Sequence, residues 1–180
     1  MEEEEHKYLG VNRPAVFIFK CGYEEAYLGL WKSVLSKYKS TILAISRSVG
    51  VIGIKQSSNF TAVGTGWVLD KDRRIIITNR HVTSNFDYHY EQRRPAIDFN
   101  GEYESKEEPK LHFIKQVLYE NKDNDFVFLQ LLASDCGTKI PPAITLDERV
   151  PPIQAAVVTI GFPHKEALIP SVYDKKVKNS

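Results

Sequence analysis

The stretch Gly64-Thr65-Gly66-Trp67-Val68-Leu69-Asp70-Lys71-Asp72-Arg73-Arg74-Ile75-Ile76-Ile77-Thr78-Asn79-Arg80-His81-Val82 decides how this chain is read. Two runs of β-branched, aromatic and aliphatic residues, Thr65–Leu69 and Ile75–Thr78, flank the polar turn Asp70–Arg73, which is the pattern of an antiparallel hairpin. The second strand runs out just before His81, so the hairpin delivers an imidazole to the rim of a rigid sheet. Rigid elements hold reactive groups more accurately than loops do.

Outward from this hairpin, further short runs rich in Val, Ile, Phe and Thr predict strands at Val49–Gln56, Ala96–Asn100, Leu111–Glu120, Phe126–Leu132 and Ala155–Ile160. Gly, Asn, Asp and Ser clusters separate them, and Asp87–Arg94 and Gly101–Pro109 read as exposed loops. Many short strands with turn signals at close intervals predict an all-β antiparallel barrel or sandwich. Upstream, Tyr27, Leu28, Leu30, Trp31, Val34, Leu35, Tyr38, Ile42, Leu43 and Ile45 recur at three- and four-residue intervals, which predicts an amphipathic helix whose apolar stripe packs on the domain. The organisation expected is an acidic, irregular segment over 1–23, the helix within 24–48, the β domain over 49–163 and a polar tail over 164–180.

The 180 residues suffice for one ordinary domain that buries roughly 70% of its extended surface. Apolar residues at 42% and charged residues at 26% exclude wholesale disorder and a membrane bundle. Twenty-four basic against 23 acidic side chains leave a net charge of +1, no field for a phosphate backbone, so nucleic acid is not the expected partner. The aromatic and basic run Tyr88–Arg94 is accordingly read as a solvated loop. Cys21 and Cys136 fit neither a disulfide framework nor a zinc pattern, and His6, His89 and His112 lack ligand spacing; no metal and no cofactor are expected. The acidic start Met1-Glu2-Glu3-Glu4-Glu5 is unlike a secretory leader and no run reaches the length of a membrane span, so an intracellular, by default cytoplasmic, protein without membrane contact is expected.

A second polar turn, Lys122-Asp123-Asn124-Asp125, leads directly into Phe126-Val127-Phe128-Leu129-Gln130-Leu131. An aspartate at such a junction can be buried at the base of the strand while keeping hydrogen-bond partners, as a carboxylate that orients an imidazole must be. Separately, a histidine at a strand end and an aspartate before a strand are ordinary; in this order they carry information.

The combination Gly64-Thr65-Gly66-Trp67-Val68, then Thr78-Asn79-Arg80-His81-Val82, then Asp125-Phe126-Val127-Phe128-Leu129 resembles the trypsin-like serine proteases, particularly their high-temperature-requirement (Deg-type) branch. Val157-Val158-Thr159-Ile160-Gly161-Phe162-Pro163 is similar to that family's strand and Gly-x-Pro turn in the second barrel. The resemblance implies two antiparallel β-barrels with the active site between them, here with the first barrel complete and the second partial. It also implies a polypeptide substrate, His81 as general base and Asp125 as its orienting partner. Asp123 is the neighbouring alternative, but Asp125 abuts the apolar alternation as the motif requires.

The family's nucleophile, a serine in a Gly-x-Ser-Gly loop, has no counterpart here. Ser134, Ser171 and Ser180 are the serines after Asp125, and none has the flanking glycines that turn two N–H groups toward an oxyanion. Cys136 follows Asp125 too closely for a second barrel to intervene. Two readings stay open: an incomplete serine endopeptidase, or a catalytically dead scaffold that binds extended peptides by strand addition. Either way, residues 1–180 alone are expected to show no peptidase activity.

Overall fold

The computed structural model describes residues 18–19, 22–23, 31–84, 86, 93–101, 108–133, 139–153, 155 and 157–162. Cys21, Cys136, Ser134, Ser171, Ser180, His6, His89, His164, most of the 88–94 run, the start of the expected helix at 24–30 and the 164–180 tail lie outside them. The chain divides into two compact units, one of residues 1–43, 102–105 and 163–180, the other of residues 44–101 and 106–162.

In the first unit, β1 (Ile18–Phe19) pairs antiparallel with β2 (Gly22–Tyr23). The described part of the expected helix is two segments, α1 (Lys32–Lys37) and α2 (Lys39–Ser46), the latter running on into the second unit. Tyr38 separates them at φ −105°, off the helical value, yet its N–H bonds the Val34 carbonyl at 3.2 Å and its carbonyl accepts from Ile42 N–H at 2.9 Å. The ladder therefore continues across the break. Leu35 and Ile42 are the buried residues of these helices.

The second unit is built on a closed barrel of six antiparallel strands: β3 (Val49–Gln56), β4 (Asn59–Asp70), β5 (Ile75–Asn79), β6 (Arg93–Asp98), β7 (Leu111–Asn121) and β8 (Phe126–Leu131), in the order β3-β4-β5-β8-β7-β6. Each overlaps a run in which the sequence predicts a strand, but β4 starts six residues before the expected Thr65, and Arg93 and Arg94, expected in an exposed loop, belong to β6, where they pair with Gln56 and Lys55 of β3. Along β8, Val127, Leu129 and Leu131 are buried while Phe126, Phe128 and Gln130 face outward. The inward residues join Ile52, Val68, Ile76, Val82, Ile97 and Ile114 in one core. The turn Asp70–Arg73 closes the β4–β5 hairpin as expected: the Asp70 carboxylate accepts the Arg73 N–H at 2.9 Å, and Arg74 then turns the chain at φ 58°.

The expected strand at Ala155–Ile160 does not form among the described residues. A strand needs a neighbour to satisfy its N–H and C=O groups, and the described residues of this run pair with none of the barrel strands. Val157 and Val158 are 70% and 49% exposed, and Ala155 N–H closes a turn on the Pro152 carbonyl. On either side of the run the chain is tied to β4, by Ile144 N–H on the Val68 carbonyl at 2.9 Å and by Phe162 N–H on Thr65 Oγ1 at 2.8 Å. Among the described residues, no helix is long and apolar enough to cross a membrane, and no cluster of His, Cys, Asp and Glu could hold a metal ion.

Candidate functional site

The site begins with the end of β5. Thr78 points inward, 5% exposed, and its hydroxyl donates to the Thr65 carbonyl at 2.7 Å, which ties β5 to β4 at the barrel rim. Beyond Asn79 the chain leaves the sheet and makes a single turn of helix, α3 (Arg80–Thr83). Its Val82 drops into the core at 3% exposure, whereas His81 faces out with its side chain 71% exposed. The turn is fixed locally: Thr83 Oγ1 donates to the Arg80 carbonyl at 2.7 Å and Ser84 Oγ to the His81 carbonyl at 2.6 Å. Gly64 is what lets Val82 sit there, since a Cβ at position 64 would lie 2.6 Å from Val82 Cγ2.

Asp125 arrives from the β7–β8 turn. Asn121 Oδ1 accepts the Asn124 N–H at 2.9 Å, which tightens the turn, and Asp125 closes it in the left-handed region at φ 50°, a conformation that aspartate tolerates better than most residues. Because β5 and β8 are barrel neighbours, with Asn79 opposite Phe126, the two strand ends meet although 44 residues separate His81 from Asp125.

The contact is close. His81 Nδ1 lies 2.6 Å from Asp125 Oδ2, and the His81 backbone N–H donates to Oδ1 at 3.0 Å. Asn79 Nδ2 adds two further bonds, to Asp125 Oδ2 and to the Asp125 carbonyl, each at 3.2 Å, and Arg80 N–H reaches the same carbonyl at 3.1 Å. The hydrogen bond from the His81 side chain, followed by that from its backbone, holds the Asp125 carboxyl below the usual carboxylate range. An ionised carboxylate only accepts, so Nδ1 carries the proton of the pair, and in the neutral imidazole Nε2 is then the nitrogen with the lone pair. Among the described residues Nε2 has no hydrogen-bond partner, and the His81 side chain is largely exposed. An imidazole held in this way can take up a proton at Nε2 and be stabilised as imidazolium by the carboxylate behind it.

Asp125 does not take the buried place that such a junction allows. Its side chain is 45% exposed, because the residue belongs to the tip of a turn at the rim and the strand that follows carries only its successors inward. Hydrogen bonds rather than burial hold it. Asp123 stays in the same turn as an exposed residue, and it is Asp125 that meets His81.

Two features escaped the sequence reading. Asn79 spans the carboxylate and carbonyl of Asp125, and its only signal in the sequence is its place two residues before His81. Arg80 Nε lies 3.4 Å from Glu120 Oε2, linking α3 to β7 beside a cluster of Tyr119, Phe126 and Phe128 rings 5.3–5.9 Å apart. Position in sequence does not reveal that pair, because bulges between Ile114 and Gln116 and between Val117 and Tyr119 set which residues of β7 reach the rim.

Compared with known families, residues 64–180 match the one described as trypsin-like peptidase domain, a span that starts at Gly64 and contains both His81 and Asp125. No curated protein matches the chain.

Proposed function

Because the chain belongs to the trypsin-like peptidase domain family, we propose that it is the part of a Deg-type serine endopeptidase that supplies the general base, His81, and the carboxylate that orients it, Asp125. The observation that carries this reading is the 2.6 Å contact between His81 Nδ1 and Asp125 Oδ2, with no hydrogen bond to Nε2 among the described residues. The Deg-type assignment rests on Thr78-Asn79-Arg80-His81-Val82 following Gly64-Thr65-Gly66-Trp67-Val68.

In this chemistry the substrate is a polypeptide. A serine hydroxyl is a poor nucleophile until a base within hydrogen-bond reach takes its proton. Nε2 of His81 accepts that proton as the serine oxygen bonds to the scissile carbonyl carbon, and returns it to the amine that leaves. Asp125 holds the imidazole in the Nδ1–H tautomer throughout and stabilises the imidazolium between the two transfers. Within residues 1–180 no Gly-x-Ser-Gly stretch supplies the hydroxyl or the oxyanion donors, so these residues alone hold the base and its orienter without completing the reaction.

Labelling with a fluorophosphonate probe tests this, applied to the 180-residue chain and to the longest product its locus encodes. The expected result is a label on the longer product that His81→Ala abolishes, and none on the 180 residues. Absence of label from both favours the alternative, a scaffold that has kept His81 and Asp125 without their chemistry.

A further inference from the structure

We infer that Asn79 is a positioning residue for this site: its side-chain amide clamps Asp125 by both the carboxylate and the main chain, and so keeps Oδ2 on His81 Nδ1. The inference rests on the reading of His81 and Asp125 given above and concerns how a pair this exposed keeps its geometry.

A buried carboxylate is held by its surroundings. Asp125 is not, with 45% of its side chain in solvent and a backbone φ of 50°. Water competes for each carboxylate oxygen, so orientation depends on the number and geometry of the donors that reach it. Among the described residues, Oδ1 receives one donor, the His81 backbone N–H at 3.0 Å. Oδ2 receives His81 Nδ1 and Asn79 Nδ2. The group of Asn79 that faces Asp125 must be the NH2, because both atoms it meets, Oδ2 and the carbonyl oxygen, are acceptors. One amide with two protons thus bridges the carboxylate to its own backbone. A rotation of the Asp125 side chain that took Oδ2 away from His81 would break the Asn79 bond as well.

The position suits the task. Asn79 is the last residue of β5, paired in the ladder with Phe126, the residue after Asp125. Its backbone is therefore anchored to the strand that Asp125 immediately precedes, and the clamp spans only one residue of register. Thr78 beneath it is tied to β4. The remaining titratable group near the end of β5, Arg80, is turned to Glu120 on β7.

The test uses nuclear magnetic resonance on the 180-residue chain, with Asn79→Ala and, as a strand-compatible second variant, Asn79→Thr. The readouts are the His81 Nδ1–H proton resonance and its nitrogen shift, which report the tautomer, and the Asp125 carboxyl carbon titration. Methyl resonances of Ile76, Val127 and Leu129 report the fold. The clamp predicts that both variants keep the methyl spectrum, lose or broaden the Nδ1–H resonance, and move the Asp125 titration up toward that of an ordinary aspartate. In a longer product of the locus that cleaves polypeptide, the same variants are expected to lower kcat about 10–100-fold with little change in KM. If Asp125→Asn abolishes the Nδ1–H resonance while both Asn79 variants leave it and the Asp125 titration unchanged, the role of Asn79 is refuted and the pair stands. If Asp125→Asn itself leaves His81 unaltered, the pair and the proposed function fail together, whatever Asn79 does.

Discussion

Replacing Gly64 by alanine should destabilise the barrel and disturb the site at once. The added methyl would stand 2.6 Å from Val82 Cγ2 and 3.0 Å from Cγ1, where an unstrained carbon pair needs about 3.5–4 Å. About 1 Å must therefore be found. Val82 has little room to retreat, because it is 3% exposed and packed in the core with Ile52, Val68 and Ile76. The shift falls on α3, one turn long, and so on His81 beside it. Overpacking of this kind costs about 1–3 kcal/mol, and Val82→Ala alone should cost roughly 2 kcal/mol in lost burial and cavity. The double variant removes the methyls that collide, so its cost should fall short of the sum by about 1–2 kcal/mol. Urea denaturation of the four proteins measures the cycle, and the His81 Nδ1–H resonance follows the site. The reasoning is refuted if Gly64→Ala is neutral, or if the two costs simply add.

Other perturbations test other parts of the structure. Asp98 is 4% exposed and its Oδ1 accepts the N–H groups of Asn100 and Lys110, drawing together the two ends of the connection from β6 to β7; Asp98→Ala should cost about 1–3 kcal/mol by urea denaturation and Asp98→Asn, which keeps an acceptor, distinctly less. Burial is the main cause that holds the His112 imidazole below its usual range, with Asp98 opposing and Arg74 reinforcing. The folded state then resists a proton that the unfolded chain takes near pH 6.5, so stability is complete above that pH and falls as the pH drops toward the folded value. His112→Leu should flatten this slope in thermal melts taken from pH 8 to 5. Leu129 is fully buried at the centre of β8, and Leu129→Ala should cost about 2–5 kcal/mol; a loss under 1 kcal/mol would contradict the packing of the barrel.

Much of the barrel is legible locally. β5 and β8 can be read from alternation alone, since Ile76 and Thr78, and Val127, Leu129 and Leu131, are the inward residues that a period of two requires. What closes the barrel is not, because the pairing of β6 with β3 joins residues about 40 positions apart and no short pattern specifies it. Composition misleads at Ala155–Ile160, where a β-branched run reads as a strand but its described residues join no ladder. That His81 and Asp125 meet could be anticipated because each sits where a strand begins or ends, the places at which a barrel brings distant residues to one rim. Exposure of Asp125 could not, since it depends on what surrounds the turn, and the bonds from Asn79 depend on a register that only the folded pair of strands defines.

The central claim, that His81 is the base and Asp125 its orienter, is tested most directly by cleavage of unfolded casein by the longest product of the locus, compared with its His81→Ala and Asp125→Asn variants. The account predicts that each substitution lowers kcat by on the order of 10³–10⁴-fold while the protein stays folded. Cleavage that persists at the parent rate in either folded variant would contradict it.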